Sequence, residues 1–245
     1  MKQTKITAII LSGGKGTRLN SDIPKQYIRV RDRAIISYSL EIFLNQQDID
    51  SVLIVAADEW HQFILDEMKE NSALNDKFIG FARPGDNRQL SIWNALEVIN
   101  NQFADKEIVF SDCDRLVMIH DAARPCISND LITRLIVAYK GYDGVMPVLP
   151  MKNTLYMSEN GQCITALLDR DKIYAGHTPE LFNLEKYYKA NKALLPDRIK
   201  LINGSSEPAV MGGMNIAMIE NDENNFKITT NADLERFKLQ DRKTI

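Results

Sequence analysis

The sequence predicts an α/β fold, a doubly wound and mostly parallel sheet, on three observations. Short β-branched runs recur at Ile6–Leu11, Ser51–Ala57 and Leu116–His120. Stretches with apolar residues at helical spacing separate them, and a glycine-rich turn follows the first run directly. Unbroken apolar strands are buried on both faces. Strands that alternate with helices place those helices on the two sides of a parallel sheet.

Ile6–Leu11 is a buried strand and Ile35–Asn45 a helix. Ser51–Ala57 (SVLIVAA) is the second strand, and Glu59–Met68 the second helix. Gln89–Ile99 is a helix entered through Pro84-Gly85-Asp86, where the aspartate can cap. Leu116–His120 is a further strand and Leu131–Tyr139 a further helix. From Lys152 to Leu168 the rhythm breaks. Two strand-like segments flank Ser158-Glu159-Asn160-Gly161, and Asn-Gly is the strongest short hairpin signal. A lone two-stranded ribbon is marginal in water, so this arm must pack on the main sheet or on a second subunit.

A helix is expected after Thr178-Pro179, with threonine capping and proline in the first turn. Asn215–Glu220 is a late strand, and Asn225–Thr230 is strand-like. Ala232–Leu239 is a closing helix, with Thr230 and Asp233 as a capping box. Met211, Met214 and Met218 are expected to fill core near the late strand, and Cys126 to be a small buried apolar residue. The chain reads as a single domain, 1–245, with an arm subregion of about 152–178.

Composition removes whole classes. The 245 residues are 44% hydrophobic, 26% charged and 8% aromatic, with 12 Gly and 8 Pro. Collagen-like, low-complexity and broadly disordered chains are excluded. A net charge of −3 offers no global basic field for nucleic acid or acidic lipid, and neither is an expected partner. Cys113, Cys126 and Cys163 lie far apart and outside any CxxC pair. That argues against a disulfide framework or zinc knuckle and for a reducing compartment. The first apolar run is far shorter than a signal core or a membrane span. The expectation is a soluble, cytoplasmic protein.

The densest chemical signal is Leu11-Ser12-Gly13-Gly14-Lys15-Gly16-Thr17-Arg18, directly after the first strand. Its glycines let backbone amides approach an anion, at a strand's carboxyl end where α/β ligands bind. The third position of a dinucleotide fingerprint holds Leu19, which makes a dehydrogenase a distant alternative. No Gly-Lys-Ser/Thr follows at Walker A spacing. Arg18 and Lys25 instead flank the loop with two cations, which suits a polyphosphate. A tight turn with solvated basic residues is the competing account.

These residues, with Asp22-Ile23-Pro24-Lys25-Gln26-Tyr27, resemble the signature of the 2-C-methyl-D-erythritol 4-phosphate cytidylyltransferases and the related ribitol-5-phosphate cytidylyltransferases. The resemblance spans nearly the whole chain. It continues through Gly85-Asp86-Asn87-Arg88-Gln89-Leu90-Ser91 and His120-Asp121-Ala122-Ala123-Arg124-Pro125. It then takes in Asn153-Thr154, His177-Thr178-Pro179-Glu180 and Asn225-Phe226-Lys227-Ile228-Thr229-Thr230.

The resemblance implies a Rossmann-like nucleotidyltransferase fold. It also implies a CTP-dependent enzyme that makes a CDP-polyol and pyrophosphate from a polyol phosphate, with Mg²⁺ or another divalent cation. Methylerythritol phosphate, an isoprenoid precursor, is the first choice of acceptor. Ribitol 5-phosphate, or another polyol phosphate, is the alternative, and a non-catalytic CTP-binding domain the remote one. Arg18, Lys25, Arg170 and Lys227 are the implied catalytic cations. Leu11, Ser12, Gly13, Gly14, Gly16, Gly85, Asp86, Arg88, Ser91 and Ala122 are the implied CTP contacts, with Ser91 touching phosphate. Asp121, Arg124, Thr154 and Thr178 are placed on the acceptor, and Asp121 also on the metal.

Several of these residues carry a plainer reading too. Asp121 and Arg124 could simply fix their loop, Lys227 could reach solvent, and Arg170 could form a surface ion pair. His120 is expected to be packed, because the attacking phosphate is already anionic and needs no base. In the resembled family the arm crosses to a second subunit, so a homodimer with shared sites is expected. The sequence departs from the family pattern at Asn153, His177, Glu180 and Asn203-Gly204-Ser205-Ser206, all on the acceptor side.

Overall fold

The computed structural model describes residues 4–14, 23–70, 76–104 and 115–241. Gly16, Arg18 and Cys113 lie outside the described residues. The first half of the chain runs β1 (Lys5–Leu11), β2 (Arg29–Val30), β3 (Arg33–Ala34), α1 (Ile35–Asn45), β4 (Ser51–Val55), α2 (His61–Glu70), β5 (Phe78–Ala82) and α3 (Arg88–Ala104). It continues with β6 (Arg115–Asp121), α4 (Asn129–Ala138), β7 (Gly144–Pro150), β8 (Leu155–Met157), β9 (Ala166–Leu168) and β10 (Tyr174–Gly176). The last part holds β11 (Glu180–Asn183), α5 (Leu184–Lys192), α6 (Glu207–Met211), β12 (Ile216–Glu220) and α7 (Asn231–Asp241).

The main sheet has the order β10-β7-β11-β6-β1-β4-β5, with β12 also paired to β7. β1 runs parallel to β4 and β6, and β4 to β5. β11 is antiparallel to both β6 and β7. Side-chain alternation divides the core in two. Ile6, Ala8 and Ile10 of β1, with Val52, Ile54, Leu116 and Met118, pack beneath Leu40, Phe43, Ile64, Leu131 and Leu135 of α1, α2 and α4. Ile9, Leu53, Val55, Val117 and Ile119 face the other way, onto Ile92, Leu96, Ile99 and Tyr187 of α3 and α5. A period of two on strands buried on both sides gives two cores from one apolar run.

Three expectations need correcting. The chain does not turn helical after Thr178-Pro179. β11 comes first, and Asn183 caps α5 by accepting from the Lys186 N–H. The buried stretch Glu180–Phe182 is claimed by the sheet, and the Thr178 hydroxyl is drawn to the Asp121 backbone instead. Asn225–Thr230 forms no strand, because side chains take its backbone groups: Asp233 Oδ2 accepts from the N–H of both Thr229 and Thr230. The Thr230 hydroxyl accepts from the Asp233 N–H in return, completing the expected capping box. Finally, only Met214 of the three methionines is buried. Met211 and Met218 are exposed, and Cys126 is half-buried against the small cluster around Ile228.

The arm forms as a separate two-stranded antiparallel sheet, β8 with β9, in the register Leu155↔Leu168 to Met157↔Ala166. Asn160 and Ser158 shape its turn, the Asn160 side chain accepting from the N–H groups of Gln162 and Cys163. Gly161 has a φ of +72°, the left-handed conformation that glycine adopts without strain. Among the described residues, no helix is long and apolar enough to cross a membrane.

Candidate active site

A cleft of about 670 Å³ opens at the carboxyl ends of β1 and β6, where Leu11 and Asp121 are register partners. The glycine loop forms one wall. Gly13 packs so closely on Pro84 that a Cβ there would lie 2.4 Å from the proline Cβ. Gly85 is equally confined, its Cβ position lying 2.4 Å from that of Leu90. Glycine at these two points lets the loop and the start of α3 approach each other. Gly14 lines the cleft with open space around its Cβ position.

The second wall is the Pro84–Asn87 turn and the start of α3. Asn87, not Asp86, caps this helix, its Oδ1 accepting the Leu90 N–H at 2.7 Å. Asp86 remains exposed on the rim. Ser91 lines the cleft, but its hydroxyl accepts from the Gly85 N–H and donates to the Asn87 carbonyl. It fixes the turn rather than offering a free donor to phosphate.

Asp121 organises the floor. Arg88 donates to its Oδ1 through Nε at 3.2 Å and Nη2 at 3.0 Å. Lys227 donates to Oδ2 at 2.8 Å, and Arg124 Nε lies 3.9 Å from that oxygen. Burial opposes a charge on Asp121. Arg88, Lys227 and Arg124 together outweigh burial and hold the carboxyl well below the usual carboxylate range. The 225–230 segment reaches this floor because the Ile228 N–H bonds the Ala123 carbonyl at 2.9 Å.

Behind the floor lies a buried support. Arg124 Nη1 donates to the Asn225 carbonyl at 2.8 Å and to His177 Nδ1 at 3.0 Å. Thr178 Oγ1 accepts from the Asp121 N–H at 3.1 Å, and the Ala122 N–H bonds the Leu11 carbonyl at 3.0 Å. Arg124, Thr178 and Ala122 therefore hold the cleft from behind and do not line it. His120 is wholly buried, and burial pulls its pKa down to about 3 despite the neighbouring Asp121. It is packed, as expected. Glu180 is the site's unforeseen acid. Burial pushes it up to about 7; Arg88, 4.0 Å away, only partly offsets this, and the Ser205 hydroxyl donates to its carboxyl.

Of the expected contacts, Leu11, Gly13, Gly14, Lys25, Gly85, Asp86, Arg88, Ser91, Asp121 and Lys227 line one cleft. Ser12 is buried beside it, its hydroxyl donating to Tyr27. Thr154 and Arg170 lie on the exposed arm, where Arg170 donates to the Lys152 carbonyl. Gln26, Pro84, Asn87 and Ala123 line the cleft without having been singled out. A direct magnesium ligand does not fit Asp121. Arg88 already holds its Oδ1 and Lys227 its Oδ2, so an ion bound there would compete with two fixed cations for the same carboxylate.

Lys25, Arg88 and Lys227 against Asp86 and Asp121 leave the described lining with a positive excess suited to an anion. Residues 6–239 match the family model of IspD, 2-C-methyl-D-erythritol 4-phosphate cytidylyltransferase. The chain belongs to this family. It is a cytidylyltransferase, one kind of nucleotidyltransferase. It is 30% identical over 236 residues to the 2-C-methyl-D-erythritol 4-phosphate cytidylyltransferase of Petrotoga mobilis, covering 95% of this chain and 96% of that protein. It is 28% identical to the ribitol-5-phosphate cytidylyltransferase of Lactiplantibacillus plantarum, with coverage of 94% and 95%. The crystal structure of the Francisella tularensis enzyme of the IspD family superposes with a TM-score of 0.76 at 27% identity, covering 96% of this chain and 99% of that one.

Proposed function

We propose that this cytidylyltransferase binds CTP in the cleft and joins it to 2-C-methyl-D-erythritol 4-phosphate, as a cytoplasmic enzyme of isoprenoid biosynthesis. The convergence of Lys25, Arg88 and Lys227 with the glycine loop on one cleft carries this reading. An oxygen of the acceptor phosphate attacks the α-phosphorus in line. That O–P bond forms as the bond to the bridging α–β oxygen breaks, and pyrophosphate leaves with the electron pair. The nucleophile is already anionic, so the protein supplies position and fixed positive charge. In this reading Lys25 and Arg18 stabilise the α-phosphoryl oxygens and leaving group. Asp86, Arg88 and the helix start hold the nucleoside. Lys227, with Arg170, takes the acceptor phosphate.

Magnesium, or another divalent cation, is assigned to the nucleotide itself, arriving as the metal–CTP substrate. The arm supports a homodimer. Tyr156, Met157, Ile164 and Leu167 are exposed on a ribbon that has no sheet of its own to join. A second subunit would cover them and receive Thr154 and Arg170 in its site. Ribitol 5-phosphate is the second acceptor, favoured by the similarity to the plantarum enzyme and by the Gly13-Gly14-Lys15-Gly16-Thr17-Arg18 sequence, while the altered positions Asn153, His177 and Glu180 leave room for another polyol phosphate. The test is pyrophosphate release with CTP and a panel of polyol phosphates, read as kcat/KM. Highest turnover with methylerythritol phosphate supports the reading, and preference for ribitol phosphate replaces it. Silence across the panel with CTP still bound would favour a sensor.

A further inference from the structure

Lys25 reaches the cleft from a single tight turn, Lys25–Tyr27, which follows Pro24 and is closed by the Tyr27 N–H on the Pro24 carbonyl at 2.9 Å. The next side chain, Gln26, is only 3% exposed and also lines the cleft. Its amide nitrogen donates to two carbonyls of the glycine loop, Ser12 at 2.6 Å and Gly14 at 2.8 Å. A carboxamide NH₂ has two hydrogens, so both are used. Tyr27 adds a second tie to the same place. Its hydroxyl donates to the Ser12 carbonyl at 3.0 Å and accepts from the Ser12 hydroxyl at 2.8 Å.

This arrangement fixes which way the loop's peptides face. In a trans peptide the carbonyl and the following N–H point in opposite directions. With the Ser12 carbonyl held by Gln26 and Tyr27, the Gly13 N–H is turned away from them. Without that hold, carbonyl oxygens could swing toward the cleft and repel an anion. The glycines make such a swing easy, because they restrain their own backbone least.

We propose that Gln26 is a positioning residue for the triphosphate: its carboxamide holds the Ser12 and Gly14 carbonyls back, turns the Gly13 amide outward, and locks the Lys25 turn to the loop. This rests on the cleft being the nucleotide site. Gln26→Met has nearly the same length and no donor. It should weaken CTP and inorganic tripolyphosphate by about tenfold each in calorimetry, the size of one lost hydrogen-bonded donor. The acceptor's KM should stay within about twofold, because the residue acts on the loop alone. Gln26→Glu should lose more, since a carboxylate would face two carbonyls.

A folded Gln26→Met that binds both phosphate ligands within twofold of wild type overturns the proposal. So does an equal loss toward the acceptor, which would mark a general folding role. If Gln26→Met does not fold, Tyr27→Phe decides. It removes one tie to the Ser12 carbonyl and should weaken CTP and tripolyphosphate a fewfold; unchanged affinities overturn the proposal. Wild type that binds neither CTP nor tripolyphosphate would sink the nucleotide reading and this one with it. Normal CTP binding with an indifferent Gln26→Met would sink this one alone.

Discussion

Lys227 Nζ lies 2.8 Å from Asp121 Oδ2, although 106 residues separate them in sequence. Asp121 is 7% exposed, and its other oxygen accepts from Arg88. One carboxylate thus sets the spacing of two cations that line the cleft. A Lys227→Met protein should fold, because Arg88 still balances Asp121. Its kcat/KM for the acceptor should fall about a hundredfold, the size expected when a fixed positive group leaves a phosphoryl-transfer site. Its CTP affinity should hold. Equal loss toward both substrates would place Lys227 on the nucleotide side.

Asp121→Asn asks the opposite of the same pair. Arg88, Lys227 and the buried Arg124 would keep only Glu180, 4.0 Å from Arg88, as a neighbouring carboxylate. Leaving buried charge unpaired costs on the order of 3–5 kcal/mol. The urea midpoint should drop accordingly with an unchanged slope. A loss under about 1 kcal/mol would show that solvent already screens the cluster.

Lys25→Ala should depress kcat far more than it weakens CTP binding, because in the proposed reaction its charge faces the oxygens where negative charge builds. Single-turnover rates against equilibrium CTP titration give the comparison. A variant with near-normal kcat would reduce this lysine to a wall of the cleft.

How much of this was legible depended on how local the cause was. The central strands and α1 were readable because apolar runs and helical spacing are local signals, and α1 spans Ile35–Asn45 as expected. The Thr230–Asp233 box was readable for the same reason. β11 was not, because burial against β6 and β7 overrode a local threonine–proline helix start. Lys227 could be matched to a family motif, yet its partner Asp121 is a product of tertiary folding alone. Gln26 stood inside the quoted motif, but a glutamine's two donors mean little until two carbonyls are placed before them. In sequence Glu180 is only a departure from the family pattern; its buried, raised acid emerges from packing against Arg88 and Ser205.

Stability should respond to pH through two buried groups of opposite sign. Glu180 has a folded pKa of about 7 against an ordinary 4.5. The native state then binds more protons than the unfolded one between those values, so stability falls as pH rises from about 4.5 to 7. His120, held at about 3 against 6.5, works the other way: stability rises with pH from about 3 to 6.5. Each contributes roughly 1.4 kcal/mol per pH unit within its window. The two slopes oppose each other between pH 4.5 and 6.5, and His177, lowered from 6.5 by burial and the Arg124 charge, adds to the rise below 6.5. Wild type should therefore depend only weakly on pH there and decline between pH 6.5 and 7. Glu180→Gln keeps an acceptor for Ser205 and should steepen the rise up to pH 6.5 and remove the decline beyond it. Identical urea midpoints across pH 4–8 for the two proteins would show that Glu180 does not titrate in this range.

The arm supplies the last prediction. Arg170 sits beyond β9 with its guanidinium on the Lys152 carbonyl, outside the set of residues that line its own chain's cleft. Leu167 is 66% and Tyr156 58% exposed, more apolar surface than a free two-stranded ribbon can leave in water without cost. If a second copy buries that surface and takes Arg170 into its site, each site contains Lys25 of one chain and Arg170 of the other. Lys25→Ala and Arg170→Ala homodimers should then both be nearly inactive. Mixed and allowed to exchange, half of the dimers would be heterodimers under random pairing. Each heterodimer would carry one doubly defective site and one intact site, so about a quarter of wild-type activity should return. Exchange is verified separately, by native mass spectrometry of chains with different tags. Demonstrated heterodimers without recovered activity would mean that each cleft is completed within a single chain, and Arg170 would then lose its place in the reaction.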